Sequence, residues 1–414
     1  CFNTEGSYTC TCNPGYSGDG HHCEPIVDCS NNPDICDVNA SCEEVEGQMV
    51  RVCNEGYAGD GLTCSMLADC IADPSLCDEN ATCTELDEGY ACVCTGGYTG
   101  KGATCAPDGW LTVAGSADYT CAIRRAGTLW CWGDIPEGQQ SVWPARVSTD
   151  TDWEHLATGP FHICALKTDG SLWCWGNGRD GKLGLGPGEE DQAEPVQVGT
   201  ATDWVKLTAG INYTCAIRAD GTLWCWGSLN ETDVPTQIGS ASDWTTAAAS
   251  GRSTDLCALR GTALYCWGAN VWGNLGLGHA DPVTEPTHVG DRDWQDIGTG
   301  HSHTCGVQSD GTMWCWGSND SGQLGQGGDT GGQEYLPLQV GTAADWVAVS
   351  SSYQGTCGLK ADGALWCWGH NESGQLGIGT SPNHAEFDQV GLATAWVSIS
   401  TNIYGLSSCG LQAD

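Results

Sequence analysis

The feature that most constrains this chain is a short hairpin with a cysteine on each strand, which recurs along most of its length. In the clearest copy, residues 304–308 and 312–316 alternate in character with period two, as half-buried strands do. Ser309-Asp310-Gly311 lies between them and fits a type I turn closed by a glycine in the left-handed region. This register places Cys305 opposite Cys315 and predicts a disulfide-bonded hairpin.

The cysteine spacing recurs in five further hairpins. One of them, Cys257/Cys266, is one residue shorter, and its loop shrinks to Gly261-Thr262, so the cysteines still face each other. A compensated deletion is what a paired register requires. The predicted disulfides are Cys121–Cys131, Cys164–Cys174, Cys215–Cys225, Cys257–Cys266, Cys305–Cys315 and Cys357–Cys367. Each is interpreted as a structural staple or as a redox switch, and the repetition favours the staple.

A small residue beside each first cysteine faces an aromatic residue on the opposite strand. The small residues are Ala122, Ala165, Ala216, Ala258, Gly306 and Gly358, and the aromatic residues are Trp130, Trp173, Trp224, Tyr265, Trp314 and Trp366. One side of each hairpin therefore carries the disulfide, and the other carries rings over a gap left for them. Since both sides are apolar, we expect each hairpin to be packed between two neighbours.

The hairpins belong to seven repeats. The repeats begin near Trp110, Trp153, Trp204, Trp244, Trp294, Trp346 and Trp396. Units of this length with about four short strands each suggest a β-propeller rather than an open solenoid. The motifs D-W-x-x-(L/I/V), T-C-A-(I/L), D-G-x-L-W-C-W-G and G-Q-L-G resemble the regulator of chromosome condensation repeat family. The resemblance implies an all-β, seven-bladed β-propeller over residues 106–414, with an incomplete last blade.

Three cysteine-rich segments precede the repeats and resemble epidermal growth factor (EGF)-like modules. The first carries C-x-N-x-x-G-S-Y-x-C-x-C and a Gly-Tyr-x-Gly-Asp-Gly turn. The resemblance predicts a partial module over residues 1–23 and two further modules over residues 24–64 and 65–105. Modules this small build little core and are held by disulfides.

The resemblance to EGF-like modules also implies a cysteine pairing. It gives Cys12–Cys23, Cys29–Cys42, Cys53–Cys64, Cys70–Cys83, Cys77–Cys92 and Cys94–Cys105. Cys1, Cys10 and Cys36 are left without partners, and Arg51 stands where the partner of Cys36 belongs. Cys409 lacks a partner in the last repeat. We therefore expect both ends of the chain to be artificial; the alternative of a lipidated Cys1 is disfavoured by the motif register.

Composition limits the compartment and the partners. Twenty-eight cysteines at fixed spacings indicate an oxidising compartment, and we predict an extracellular or cell-surface protein. Acidic residues number 52 against 14 basic ones, and a net charge of −38 repels nucleic acid and anionic membranes. We predict no membrane insertion, because no apolar run is long enough to cross a bilayer. The candidate glycosylation sites, if the source is eukaryotic, are Asn39, Asn80, Asn212, Asn230, Asn319 and Asn371.

No cofactor is predicted. His301 and His303 form a candidate metal pair, but no third ligand is evident nearby and a hydrogen-bonded strand histidine is favoured. The glycine-rich loops 319–322 and 371–374 match no P-loop or EF-hand spacing, so turns are favoured over Ca²⁺ or phosphate sites. EGF-like modules often bind calcium, but Glu44 and Glu85 stand at the family's Asn position, which disfavours calcium here.

Two functions remain open. We favour a non-catalytic protein for adhesion, protein binding or assembly of an extracellular structure such as a filament, with other proteins, copies of itself or surface glycans as partners. The alternative is a secreted enzyme or lectin acting at the propeller mouth, although no G-x-S-x-G, H-E-x-x-H or Cys–His pair is present. The family resemblance also implies nuclear guanine-nucleotide exchange factors, a role that the cysteines and the charge disfavour.

The loops that follow the third strands suggest where a partner docks. The repeats at Trp110 and Trp204 lack the G-x-L-G loop that four other repeats keep. Equivalent loops emerge on one face of a propeller, so we expect a depression on that face near the first and third blades. Trp143 is predicted to be an exposed partner-binding anchor there, or else to cap its own blade.

Overall fold

The structure is a computed structural model of the chain. It describes residues 2–4, 7–9, 16–18, 22–25, 37–45, 48–54, 57–59, 64–66, 76–86, 89–95, 98–100 and 104–413, without residues 139, 189, 252–253, 328–330, 380–382 and 402–406. The chain forms two units, Cys1–Ala106 and Pro107–Asp414, and each is described by itself.

The first unit consists of small antiparallel strand pairs, each made by two consecutive strands. The strands are β1 (Phe2–Thr4), β2 (Ser7–Thr9), β3 (Tyr16–Gly18), β4 (Cys23–Pro25), β5 (Ala40–Val45), β6 (Gln48–Cys53), β7 (Tyr57–Gly59), β8 (Cys64–Met66), β9 (Ala81–Leu86), β10 (Gly89–Cys94), β11 (Tyr98–Gly100) and β12 (Cys105–Pro107). Disulfides join Cys53 to Cys64, Cys77 to Cys92 and Cys94 to Cys105, as the EGF-like pairing implies. The predicted pairs Cys12–Cys23, Cys29–Cys42 and Cys70–Cys83 involve residues outside the described ones, as do Cys1, Cys10 and Cys36.

In each of the last two modules, one aspartate near the start of the module forms a hydrogen bond with the backbone of its last cysteine. Asp78 accepts hydrogen bonds from the backbone amides of Cys105 (2.9 Å) and Asn80 (2.8 Å). Asp37 accepts the equivalent bonds from Asn39 (2.9 Å) and Cys64 (3.1 Å). These backbone bonds lower the pKa of both carboxyls. The two modules are therefore closed in the same way.

The second unit is a β-propeller with six four-stranded antiparallel blades in the described residues. Blades 1 to 3 comprise β13 (Trp110–Gly115), β14 (Tyr119–Arg124), β15 (Leu129–Gly133), β16 (Ser141–Arg146); β17 (Trp153–Thr158), β18 (His162–Lys167), β19 (Leu172–Gly176), β20 (Gln192–Gln197); and β21 (Trp204–Ala209), β22 (Tyr213–Arg218), β23 (Leu223–Gly227), β24 (Thr232–Gln237). Blades 4 to 6 comprise β25 (Trp244–Ala249), β26 (Leu256–Arg260), β27 (Ala263–Gly268), β28 (Val283–His288); β29 (Trp294–Thr299), β30 (His303–Gln308), β31 (Met313–Ser318), β32 (Gln333–Gln339); and β33 (Trp346–Ser351), β34 (Gly355–Lys360), β35 (Leu365–Gly369), β36 (His384–Gln389). A 3₁₀ turn, Arg179–Gly181, lies in the second blade.

A seventh sheet of two strands lies between blades 6 and 1. Its strands are β37 (Trp396–Thr401) and β38 (Ser408–Gln412). Ser400 Oγ accepts a hydrogen bond from Gly115 N (3.1 Å), and Thr401 Oγ1 lies 2.8 Å from Ser350 Oγ. The predicted seven blades are thus six complete blades and this two-stranded sheet, because the described residues supply only two strands to it.

The predicted hairpin register is present in all six blades. Cys305 lies opposite Cys315 and Gly306 opposite Trp314. In the shortened copy, Cys257 still lies opposite Cys266. Disulfides join all six predicted pairs. The one-residue deletion in the loop of this copy therefore predicted the strand register correctly.

The core lies between neighbouring blades. The disulfide side of blade 1 packs in one cluster with Trp153 and Trp175 of blade 2, and the other blades repeat the pattern. The gap at each small residue is filled differently from the prediction. An added Cβ on Gly306 would lie 2.7 Å from the ring of Trp294, which comes from the innermost strand. The facing ring, Trp314, packs against the core cluster that contains Trp294, and the innermost tryptophan occupies the gap.

The innermost strands surround a central channel. A cavity of about 250 Å³ lies in it, and its lining consists of Ala, Gly, Ser, Thr and aliphatic side chains. No helix among the described residues is long and apolar enough to cross a membrane.

Candidate protein-interaction surface

The loops between the third and fourth strands emerge on one face, which we call the loop face. In blade 1 the loop begins after Gly133, which pairs with Tyr119 at the start of the second strand. Residues 134–140 in blade 1 and 228–231 in blade 3 form short loops; residues 177–191, 269–282, 319–332 and 370–383 form long ones. The uneven loop face predicted from the sequence is therefore present.

Three of the four long loops fasten their blade to the next through one carbonyl, an arrangement we call the loop latch. The carbonyl of Gln323 in blade 5 accepts hydrogen bonds from Thr356 Oγ1 and Trp368 Nε1 of blade 6, both at 2.9 Å. The same pair of bonds joins Lys182 to Thr214 and Trp226 (2.9 and 2.9 Å), and Asn274 to Thr304 and Trp316 (2.8 and 2.9 Å). Because both donors are buried, the carbonyl satisfies groups that would otherwise be costly to bury.

The same loops also reach the outer strand of the next blade. A glycine amide near the end of each loop donates to a strand carbonyl there: Gly186 to Asp233 (3.0 Å), Gly278 to Tyr335 (2.8 Å) and Gly327 to Ala385 (3.1 Å). The outer edge strand of a blade, otherwise open to other chains, is therefore partly covered by its predecessor.

Blades that follow a short loop lack the threonine of the latch. Blades 2 and 4 carry Ile163 and Leu256 at that position, and both side chains are buried. Ile135 of the first short loop and Leu229 of the second pack against the adjoining cores. Where the preceding loop is short, the next blade therefore carries a buried aliphatic side chain at the position of the latch threonine.

Blade 1 presents an open surface on this face, which we call the blade-1 rim: Thr120, Trp132, Val142 and Trp143. Trp143 is 77% exposed and Val142 is 85% exposed, so Trp143 does not cap its own blade. Trp132 is only partly buried, whereas its counterparts in the other five blades are buried. Thr120 and Trp132 line a cavity of about 270 Å³ that also touches Ser407, the residue before β38. This cavity lies between blade 1 and the seventh sheet. The short loop of blade 1, where the depression was predicted, does not line it.

Three loop asparagines, Asn270, Asn319 and Asn371, each accept a hydrogen bond from a leucine amide of their own loop, and the last two are in sequons. Asn371 is fully buried, and its Oδ1 accepts a hydrogen bond from Leu376 N at 3.0 Å. Asn319 accepts the same bond from Leu324 at 3.1 Å. Because its side chain is buried, Asn371 is expected to be a poor glycosylation site in the folded protein. The other sequon asparagines, Asn39, Asn80, Asn212, Asn230 and Asn319, are partly exposed.

The glycine-rich loops that start at residues 319 and 371 form turns. Their glycines have positive φ, in agreement with the interpretation as turns: Gly322, Gly325, Gly327, Gly374, Gly377 and Gly379.

The two histidines proposed as a metal pair have separate roles. His303 is buried and its Nε2 lies 2.8 Å from Thr356 Oγ1, while His301 stacks on Tyr353 with ring centroids 4.6 Å apart. Burial, with a smaller contribution from His301, lowers the pKa of His303 to about 3. The described residues contain no group of three His, Cys, Asp or Glu side chains that could hold a metal.

Five basic side chains of the propeller are held in aromatic cages that the sequence analysis missed. Arg218 lies 4.6 Å from the ring centroid of Trp204 and 4.3 Å from that of Trp224. Equivalent cages hold Arg124, Lys167, Arg260 and Lys360. Each of these cations also pairs with an aspartate near the start of the repeat, as Arg218 does with Asp203. The recurrence of one cation at the end of the second strand in five of the six complete blades was the signal available in the sequence.

Family models match both units. Models of the regulator of chromosome condensation (RCC1) repeat match residues 169–217, 263–307, 310–359 and 362–389, and residues 153–182, 204–231, 294–323 and 346–375. EGF domain models match residues 29–64 and 70–105, and a complement Clr-like EGF-like model matches residues 7–26.

Known proteins are similar to long and to short stretches of this chain. The ultraviolet-B receptor UVR8 of Arabidopsis thaliana is 29% identical over 298 residues, which cover 66% of this chain and 67% of UVR8. The human E3 ubiquitin-protein ligase HERC2 is 27% identical over 64% of this chain, but the match spans only 6% of HERC2. Nidogen of Drosophila melanogaster is 50% identical over 38 residues, 9% of this chain and 3% of Nidogen.

Solved structures share the fold. Human WBSCR16 superposes with a TM-score of 0.65 at 17% identity and covers 74% of this chain and 87% of its own. Prp20p of Saccharomyces cerevisiae superposes with a TM-score of 0.64 at 17% identity and covers 82% and 89%. At these identities the likeness concerns the fold alone.

Proposed function

Because the chain belongs to the RCC1 repeat family and carries EGF-like modules ahead of its propeller, we propose that it is a non-catalytic, extracellular or cell-surface protein that binds other proteins. The disulfides support the compartment, since blade and EGF-like cysteines are bonded in the described residues. Adhesion or assembly of a surface structure is the role that this combination fits best, and neither needs a cofactor.

The exposure of Trp143 is the observation that carries the proposal. A tryptophan that is 77% exposed beside an equally open Val142 forms an apolar site on an otherwise strongly acidic protein. Tryptophan anchors of this kind contribute much of the binding energy in protein interfaces. Protein partners also agree with Prp20p, which binds Gsp1p and histones.

The channel offers less support for an enzyme or a lectin. Its lining of small and aliphatic side chains includes no carboxylate and no tryptophan among the described residues. Glycosidic chemistry uses paired carboxylates, and sugar binding commonly uses aromatic platforms. The rim of blade 1 is therefore the better candidate for the working surface.

The test compares Trp143→Ala with a matched control. Val234 occupies the same outer-strand position in blade 3 and is 47% exposed, so Val234→Ala removes an equivalent side chain away from blade 1. We expect Trp143→Ala to weaken self-association in sedimentation experiments, or binding to purified cell-surface proteins, at an unchanged melting temperature. Equal binding by the two variants and the wild type would contradict the proposal.

A further inference from the structure

The long loop of blade 2 begins with Asn177-Gly178, which is the one Asn-Gly pair in the sequence. In such a pair the backbone nitrogen of the glycine can attack the side-chain carbonyl of the asparagine. Joining the two closes an unstrained five-membered ring, and glycine has no Cβ to hinder the approach. The product is a succinimide, and ammonia is released. The contacts of this pair therefore decide whether the fold suppresses the reaction or promotes it.

One carboxylate oxygen contacts both nitrogens that exchange a proton in this reaction. Asp191 Oδ1 accepts a hydrogen bond from Gly178 N at 2.8 Å and another from Asn177 Nδ2 at 2.9 Å. Gly178 N is the nucleophile and must lose a proton, whereas Asn177 Nδ2 is the leaving group and must gain one. A general base has to lie within hydrogen-bond distance of the group that it deprotonates. Asp191 meets this condition at both ends of the transfer.

Two donors hold the oxygen on which negative charge develops. Asn177 Oδ1 accepts hydrogen bonds from Lys182 Nζ at 2.9 Å and from Arg179 N at 3.3 Å. Attack at the carbonyl carbon turns this oxygen into an oxyanion. Lys182 is only 1% exposed, so little water competes for its charge, and donors placed in this way stabilise an oxyanion most effectively. Base, nucleophile, leaving group and oxyanion donors therefore surround one amide.

The asparagines of the other three long loops are arranged differently. They lie one position later in the repeat than Asn177, and each is followed by a residue that has a side chain. These pairs are Asn270-Val271, Asn319-Asp320 and Asn371-Glu372. The side-chain oxygen of each accepts a hydrogen bond from a leucine amide. These asparagines support their loops, and they provide an internal comparison for Asn177.

Lys182 is also specific to the loop of blade 2. At the same position of the G-x-L-G motif the other long loops carry an uncharged amide side chain: Asn274, Gln323 and Gln375. In blade 5 the amide of Gln323 contacts Ser318, the residue at the position of Asn177. The contact between these two positions is therefore part of the repeat, and blade 2 alone fills it with a cation and an asparagine.

We propose that Asn177-Gly178 is a self-modification site, at which the folded loop of blade 2 converts its own asparagine into aspartate or isoaspartate. Gly178 N attacks Asn177 Cγ while Asp191 takes the proton from that nitrogen. Asp191 then passes the proton to Asn177 Nδ2, the bond between Cγ and Nδ2 breaks, and ammonia leaves with the electron pair. Water opens the succinimide at either carbonyl. The net reaction exchanges an amide nitrogen for an oxygen of water and needs no oxidant or cofactor.

The reaction changes the charge beside the loop latch of blade 2. In the aspartate product a carboxylate replaces an amide oxygen that lies 2.9 Å from Lys182 Nζ, so a neutral acceptor becomes a charged one. The backbone carbonyl of Lys182 accepts the latch hydrogen bonds from Thr214 and Trp226 of blade 3. The modification thus strengthens a contact of the residue that forms the latch. It does not depend on the protein-binding function proposed above.

The test compares the folded protein with its own unfolded chain. The freshly purified 414-residue protein is incubated at neutral pH, either native or reduced and unfolded in guanidinium chloride. Peptide mapping follows the mass gain of deamidation at Asn177, Asn270 and Asn319, and isoaspartyl methyltransferase detects isoaspartate. We expect Asn177 to react at least about tenfold faster in the folded protein than in the unfolded chain, because only the fold positions the base and the oxyanion donors. Asn270 and Asn319 should stay unmodified in the folded protein.

Two variants test the assigned roles. Asp191→Asn removes the base but keeps an acceptor oxygen, and Lys182→Met removes the charge but keeps a side chain of similar length. Each should slow the reaction of the folded protein by about tenfold or more. Asp180→Asn, at an exposed position of the same loop whose positive φ asparagine tolerates, is the matched control and should react like the wild type. Melting temperatures show which variants fold, and the exposure of Asp191 favours an intact fold in its variant.

Three results would overturn the inference. The first is a reaction at Asn177 that is no faster in the folded protein than in the unfolded chain, which is the order expected of an Asn-Gly pair held rigidly without catalytic groups. The second is a wild-type rate in folded Asp191→Asn. The third is a cross-linked peptide in which Lys182 Nζ is joined to Asn177 with loss of ammonia, because the lysine amine would then be the nucleophile. Complete conversion at isolation supports the inference when Asp191→Asn, isolated in the same way, retains its asparagine at position 177.

Discussion

The guanidinium carbon of Arg292 lies 3.7 Å from the ring centroid of Trp314 in blade 5. In the other five blades the cation over this ring is the last residue of the second strand, but in blade 5 that residue is Gln308. Arg292 precedes the first strand of blade 5, and it thus supplies the positive charge that the end of the second strand lacks. A cation therefore lies over this ring in all six complete blades, even where it comes from another position in the chain.

We expect Arg292→Met to lower the free energy of unfolding by about 0.5–1 kcal/mol, the range for cation–π contacts near a surface. Adding Gln308→Arg to that variant should restore stability, because it recreates the cage of Arg218 in blade 3. Urea denaturation midpoints measure both effects. Arg179→Met, at an exposed loop position, is the control and should change little. Full stability of Arg292→Met would show that the ring contact contributes nothing.

The blade disulfides should resist reduction as long as the propeller is folded. Cys121, Cys164, Cys215, Cys266 and Cys305 are fully or almost fully buried, whereas Cys53, Cys77 and Cys94 of the first unit are partly exposed. Dithiothreitol without denaturant, followed by alkylation and mass mapping, should label cysteines of the first unit first. Blade cysteines should label only in urea, because a reductant must reach the sulfur. Early labelling of a single blade pair would instead support the redox-switch interpretation.

The hairpin register could be predicted from the sequence because it is local. Cys257 and Cys266 are nine residues apart, and a one-residue deletion between them is visible without any knowledge of other blades. Three of the predicted EGF-like pairs are also present, and of the two alternatives for Trp143 the exposed one is observed. The loop latch and the cages were missed because their partners are remote: Lys182 and Trp226 are 44 residues apart. The alternation of Thr with Ile163 and Leu256 was a readable signal, but only once the loops were known to cross to the next blade.

Acid should destabilise the propeller through its buried histidines. Thr356 Oγ1 donates to the carbonyl of Gln323, so His303 Nε2 must donate to Thr356, and Nδ1 has no partner among the described residues. The pKa of His303 is about 3 in the folded protein against an ordinary value of 6.5. The unfolded chain therefore binds more protons between these values, and the stability present above pH 6.5 is lost as the pH falls towards 3.

His303→Gln should flatten part of this pH dependence. The wild type should lose roughly 1 kcal/mol per pH unit below 6.5 through this histidine, and the variant should not. Urea midpoints at pH 7.5 and 4.5 provide the comparison, in which carboxyl titration is common to both proteins. The variant should be the less stable protein at pH 7.5, with a smaller fall on acidification. Parallel curves would assign the acid sensitivity to other groups.

Chelation of calcium tests whether the stability of the protein depends on this ion. The described residues provide no cluster of carboxylates for a cation, and Asp37 and Asp78 use their oxygens on backbone amides. We therefore expect the melting temperature and the EGF-unit disulfides to be the same in excess EDTA and in millimolar Ca²⁺. Stabilisation by calcium that saturates at one or two ions per chain would reveal a site between modules.

Asn371 and Ser373 belong to one sequon but should respond differently to substitution. The side chain of Asn371 is fully buried and bonded to Leu376 N, whereas Ser373 is exposed. Ser373→Ala removes the sequon and leaves the loop intact, so it should melt like the wild type. Asn371→Ala also removes the sequon but leaves a buried amide without its acceptor, and should cost about 1–3 kcal/mol. In a glycosylating host, mass mapping should find Asn371 unmodified in the folded protein, because a glycan there would have to displace the loop from the blade core. A glycan on Asn371 in secreted, fully folded material would show that this loop is open in solution and that its asparagine does not hold it.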